Sequence, residues 1–128
     1  FYSTANTNRN VMTTDGTARI MEEIMQNITF NEKNINLKNY LFREINKQSQ
    51  KIDPNNQING FFGEGLPQKI PFWSKAGLMS EARNDAAWWI NRNQSKTLLV
   101  VFTEGKEFAN DNYFLPELSK AIYEFIHS

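Results

Sequence analysis

Pro71-Phe72-Trp73-Ser74-Lys75-Ala76-Gly77-Leu78, then Arg83-Asn84-Asp85-Ala86-Ala87-Trp88-Trp89-Ile90, then Thr97-Leu98-Leu99-Val100-Val101-Phe102-Thr103: these three runs decide the fold. Each is rich in aromatic or branched apolar residues and is short enough for a strand, which predicts strands over 72–79, 84–90 and 97–103. Asn91-Arg92-Asn93-Gln94 joins the last two as a hairpin. Successive residues of a strand point to opposite faces. In the second run Ala86, Trp88 and Ile90 oppose Ala87 and Trp89, and in the third Leu98, Val100 and Phe102 oppose Leu99 and Val101. A sheet with one wet face would alternate apolar and polar. This one is apolar on both faces and requires a cover on each.

Working outward, the 113–127 segment carries Leu115, Leu118, Ile122 and Phe125 at helical spacing, with Pro116 in the first turn where it is tolerated. It supplies one cover. Upstream, Thr13 or Thr14 can cap a helix in which Ala18, Met21, Ile24, Met25 and Ile28 form the stripe. Leu37, Tyr40, Leu41 and Ile45 predict a second helix over 36–49, stopped at Asp53-Pro54-Asn55-Asn56. The second cover comes from these two helices or from a part of the protein outside this chain. Residues 57–70 are glycine-rich and irregular, yet Ile58, Phe61, Phe62 and Leu66 are apolar enough to be buried, so the segment reads as an ordered connector. Residues 1–13 read as loop. The expectation is one α+β domain over 1–128, an antiparallel sheet of about three strands covered by helices with the C-terminal helix packed on it. The sheet has an exposed edge, a feature proteins have to manage.

Composition excludes several functions. Fourteen Lys plus Arg balance 14 Asp plus Glu. Zero net charge argues against a phosphate-driven nucleic-acid binder and against a polybasic membrane anchor. There is no Cys, and the single His is His127, so disulfides, Cys-based zinc sites and a Ser-His-Asp triad within the chain are not expected. No metal and no cofactor is expected. Trp88 and Trp89 fall on opposite faces and read as core rather than as a stacking platform. Glu22-Glu23 reads as a solvated helix face. Gly60, Gly63 and Gly65 are not a phosphate loop, because no Lys-Ser/Thr follows. Asn27-Ile28-Thr29 and Asn93-Gln94-Ser95 fit the N-glycosylation pattern. The chain begins at Phe1 and its first ten residues contain no apolar run. Processing of a natural chain and excision from a longer protein explain that start equally well, and any export signal would have been removed or would lie upstream.

The chemistry concentrates at Lys75 and Gly77. A Lys in an apolar strand is costly to bury unpaired, and Gly two residues later lets a ligand approach the backbone closely. The pair points one way and offers a cation beside bare backbone, a cradle for a carboxylate. The plain alternative is that Lys75 snorkels at an edge and Gly77 marks a bend. The order of features carries more than the triplet. Gly65-Leu66-Pro67, Lys75-Ala76-Gly77, Arg83-Asn84-Asp85-Ala86-Ala87 and Leu99-Val100-Val101-Phe102-Thr103, between helices, resemble the C-terminal region of class A β-lactamases and their relatives, where a Lys-Thr-Gly strand walls the active site.

That resemblance implies roles. Lys75 would stand beside the catalytic serines and help bind a substrate carboxylate. Gly77 would leave room for a β-lactam or acyl group. The Leu78 N–H would serve as one oxyanion donor, a contribution of about 3–4 kcal/mol in an intact site. Arg83 is a candidate for the carboxylate or for a structural ion pair. The partner would be a β-lactam or peptide-like carboxylate, the setting periplasmic or secreted, and the source bacterial. Two departures qualify this. Ala76 replaces the usual Thr or Ser, removing a hydroxyl hydrogen bond of about 1 kcal/mol. And no Ser is followed by Lys three residues later: Ser3, Ser74, Ser80, Ser95 and Ser119 fail, and Ser49 has Lys51 only two residues on. Nor is there a Ser-Asp-Asn. Without nucleophile and base there is no acyl transfer, so the chain alone is expected to be inert. The competing expectations are a non-catalytic β-lactamase-like binding domain and a free-standing interaction module. The resemblance also implies sheet strands outside this chain, so dimerisation or strand exchange through the exposed edge is expected.

Overall fold

The structure, a computed structural model, describes residues 11–26 and 36–128. Most of the predicted loop over 1–13, Ile28 of the first stripe and the Asn27 glycosylation pattern lie outside those residues.

Three antiparallel strands, β1 (Phe72–Met79), β2 (Ala82–Ile90) and β3 (Lys96–Val101), form a sheet in the order β1-β2-β3. The register sets Trp73 opposite Trp88, Lys75 opposite Ala86 and Ala76 opposite Asp85, and continues with Ala87 opposite Leu99 across to β3. Gln94 takes a positive φ of 70° in the β2–β3 turn, where the chain reverses.

Both faces are covered, as the apolar pattern requires. On one lie Ala86, Trp88, Leu98 and Val100, with Trp73 beside them, under Met21 and Met25 of α1 (Thr14–Gln26). Thr13 caps that helix: its Oγ1 accepts the Gly16 N–H at 2.9 Å. The second cover is therefore α1, with Leu41 of the next helix packed against the same cluster. The opposite face carries Phe72, Ala76, Ala87 and Trp89, with Leu99 and Val101, beneath the connector residues Ile58, Phe61, Phe62, Leu66 and Ile70. The last helix completes this layer through Leu115, Leu118 and Ile122. Phe72, Trp89, Phe62 and Leu115 are fully buried, and burying each such side chain is worth about 1.5–3 kcal/mol.

The predicted helix over 36–49 is corrected. Two short helices, α2 (Lys38–Leu41) and α3 (Lys47–Ile52), flank an extended segment. Phe42 bridges Trp73, and the Arg43 N–H donates to Phe72 O at 2.9 Å, so the chain pairs with β1 there instead of continuing to coil. Asn46 then restarts the helix by accepting the Gln48 N–H at 2.9 Å. Tyr40, assigned to the apolar stripe, is exposed. So is Phe125 of the last helix. A short helix, α4 (Lys106–Ala109), was not expected; α5 (Phe114–Ile126) follows it.

The connector includes a 3₁₀ turn, Phe62–Gly65, that docks on α5. A Cβ at Gly65 would run into the Pro116 carbonyl oxygen and Ser119 Oγ, so glycine permits the contact. The Ser119 hydroxyl seals it by donating to Phe62 O at 2.7 Å.

Candidate active site

Among the described residues β1 is an edge strand. In an antiparallel pair, alternate residues turn their N–H and C=O toward the neighbour and the others turn them away. Phe72 O takes the Arg43 N–H, and both backbone groups of Ala76 bond to side chains, so the even-numbered residues of β1 face the open edge. Leu78 shares that parity. By that parity its N–H faces the open edge, and the residue is 57% exposed.

Beside this edge runs a groove of about 350 Å³ lined by Gln57, Phe61, Lys75, Ala76, Leu78 and Arg83, with loop asparagines above them. Four of the five residues singled out from sequence thus border one cavity. Lys75 is exposed, and its Nζ donates to Ala76 O at 2.7 Å. Ala76 is buried, its methyl in the apolar cluster on the connector side. Gly77 does not line the groove. Its face is that of Lys75, and a Cβ there would meet only Asn84 Cβ, at 4.0 Å.

Arg83 belongs to the framework of the groove. It is 6% exposed. Its Nε and Nη2 donate to Ala109 O at 3.2 and 3.0 Å, Nη1 to Gly60 O at 3.2 Å, and Nη2 also to Asn112 Oδ1 at 2.9 Å. The guanidinium also stacks over the Phe61 ring, 5.0 Å from its centroid. Gly60, with φ of 81°, passes so close that a Cβ would lie 2.6 Å from Nη1. The planar fork ties β2, the connector and the α4–α5 loop together, a use for which Lys could not substitute. Of the two sequence readings, carboxylate contact or structural pair, these bonds support the structural one, with carbonyls in place of an acid.

Sequence reasoning passed over the polar cluster behind the edge. Asp85 is 1% exposed and Ser74 is fully buried, both on the connector face. Asp85 Oδ2 accepts the Phe62 N–H at 3.0 Å. Asp85 Oδ1, Ser74 Oγ, Arg43 Nε and Gln50 Oε1 are buried with no hydrogen-bond partner among the described residues. Burial pushes the Asp85 carboxyl up to about 7, against the Phe62 and Ala86 N–H groups and the nearby Lys75 and Arg43 charges, which hold it down. Burial likewise draws Arg43 below its usual range, with Asp85 opposing. The sequence signal was an acid inside an otherwise apolar run, Asp85-Ala86-Ala87-Trp88-Trp89. Gln57 gave no local signal, because its partner lies far along the chain.

Residues 1–126 match the family model described as the β-lactamase enzyme family. The chain belongs to that family. No curated protein matches it. As a β-lactamase-family chain it has an α+β fold, and its relationship is to hydrolases of that kind. Among the described residues no helix is long and apolar enough to cross a membrane, and no cluster of three His, Asp or Glu could hold a metal.

Proposed function

We propose that this chain is the C-terminal part of a serine hydrolase of the class A β-lactamase kind, and that the β1 edge is the substrate wall of its active site. The observation that carries the reading is the placement of Lys75, Ala76 and Leu78 along an open strand edge beside one groove, in a chain of this family. Lys75 supplies the cation that seats a substrate carboxylate next to the attacking group. The outward N–H of Leu78 is the oxyanion donor for the acyl carbonyl, a position fixed by backbone and independent of its side chain. Gly77 keeps the strand slim at that point, and Arg83 braces the wall from behind. The nucleophile and base come from residues upstream of Phe1, the Ser-x-x-Lys and Ser-Asp-Asn that this chain lacks. The chain alone is inert. The protein acts outside the cytoplasm of a bacterium.

Incubating the full-length protein with a fluorescent penicillin, followed by denaturing electrophoresis, tests this. A covalently labelled band is the expected result, and residues 1–128 alone stay unlabelled. A folded full-length protein that never labels, or an upstream sequence with no Ser-x-x-Lys, overturns the reading.

Ala76 favours a second reading. Its methyl replaces the hydroxyl that would hold the carboxylate, as in a descendant that keeps the scaffold for binding without turnover. Steady hydrolysis of a penicillin by the full-length protein would sink it.

A further inference from the structure

On the open edge of β1, the backbone of Ala76 is occupied by the chain's own side chains. Its N–H donates to Gln57 Oε1 at 2.9 Å, and its carbonyl accepts from Lys75 Nζ at 2.7 Å. Gln57 arrives from the loop after α3, and that loop is clamped. Asn56 Nδ2 donates to Asp53 O at 2.7 Å and to Gln50 O at 3.2 Å. Asn56 Oδ1 accepts the Ile58 and Asn59 N–H groups at 2.9 and 2.8 Å. The backbone around Gln57 is thereby fixed, while its side chain makes, among the described residues, one hydrogen bond. Gln57 also lines two cavities: the groove on the Lys75 side and a second hollow of about 300 Å³ bounded by Phe42, Arg43, Gln50 and Ile58. Asn55 and Asn56 line both as well, so Gln57 stands in the loop the two cavities share.

A carbonyl oxygen set on an outward strand N–H is the contact a ligand makes when it adds to a sheet edge. Here that oxygen comes from a carboxamide on a rigid loop, one residue from an ammonium with no carboxylate paired to it among the described residues. We propose that Gln57 is an intramolecular plug, occupying the acceptor position of the β1 edge, and that a ligand carboxylate enters by displacing it and taking the Ala76 N–H beside Lys75. This rests on the groove being the substrate wall. It also supplies a donor where the Ala76 side chain has none: the backbone N–H does what the absent hydroxyl cannot. A carboxylate is a stronger acceptor than a carboxamide. The exchange requires only a side-chain rotation at Gln57.

The test is the noncovalent dissociation constant of a fluorescent penicillin for the full-length protein, read by anisotropy or, where acylation follows, from the concentration dependence of the acylation rate in stopped flow, with Gln57→Ala and Gln57→Glu. Removing the plug should tighten binding about five-fold, the worth of one competing hydrogen bond. Gln57→Glu tethers a carboxylate in the same place and should weaken binding by at least as much. A merely structural Gln57 would weaken binding in both variants together with thermal stability. Unchanged or weaker binding in a normally folded Gln57→Ala overturns the plug. A ligand-free readout separates this from failure of the substrate reading. Hydrogen exchange of the Ala76 amide should quicken about ten-fold in Gln57→Ala, since its one acceptor is gone. If no variant binds the penicillin, the substrate reading fails, and the Ala76 exchange alone decides the plug, unchanged exchange refuting it.

Discussion

Asp85 sits mid-strand, with one oxygen on the Phe62 N–H at 3.0 Å. Its carboxyl titrates at about 7 in the folded protein, against 3.8 for the ordinary group. The folded chain therefore keeps a proton that the unfolded chain releases between those values. Stability falls as pH rises from 3.8 to about 7 and is level above. At about 1.4 kcal/mol per tenfold change in proton affinity, the loss is a few kcal/mol. The Phe62 and Ala86 N–H groups, Lys75 and Arg43 act on the group and limit it. Asp85→Asn retains an acceptor for Phe62 and removes the ionisation. Thermal melts should show the variant more stable than the parent at pH 8 and nearly equal to it at pH 4; a parent equally stable at both would refute the buried-acid account. At Gly65, an added methyl meets the Pro116 carbonyl, which cannot swing aside. Gly65→Ala should cost about 2 kcal/mol or more by urea denaturation.

Among elements, the connector over 57–70 carries more of the fold than its irregular backbone suggests. It supplies the layer between the sheet and α5, and Arg83 pins it to Ala109 and Asn112. Arg83→Ala would strip donors from buried carbonyls at Gly60 and Ala109. A loss of about 3 kcal/mol in urea is expected, with the groove asparagines loosened together. Arg83→Lys should recover only part of it, because an ammonium cannot span both carbonyls and the Phe61 ring. A full recovery would show that charge alone matters there. The split of the predicted 36–49 helix has the same origin. Tyr40, Leu41 and Ile45 have helical spacing, but the β1 edge offers Phe72 O to Arg43, and that long-range pairing overrides local propensity.

For the whole molecule, the two edges of the sheet differ. The β1 edge is occupied in places by Phe42, Arg43 and Gln57. The β3 edge has no neighbouring strand among the described residues. Its residues Thr97 to Val101 are only partly buried, and an apolar free edge is a template for pairing. Residues 1–128 produced alone should associate with rising concentration in sedimentation velocity, and a longer form carrying the proposed upstream strands should not. A strictly monomeric 1–128 over the same range would count against strand exchange.

The sequence by itself determined the three strands, though β3 ends at Val101 and leaves Phe102 exposed, together with the α+β class and the family. Period-two patterns, paired Trp residues on opposite faces and a fixed order of motifs are local properties that survive without coordinates. It also named Lys75, Ala76 and Leu78, which the fold brings to one edge. Only the tertiary structure decided what those residues face. Arg83 became a brace because carbonyls from Gly60 and Ala109 converge on it. Asp85 became a buried acid because the connector closes over it. Gln57 reached Ala76 across 19 residues of chain. Such contacts depend on how separate segments pack, and no pattern of neighbouring residues encodes them.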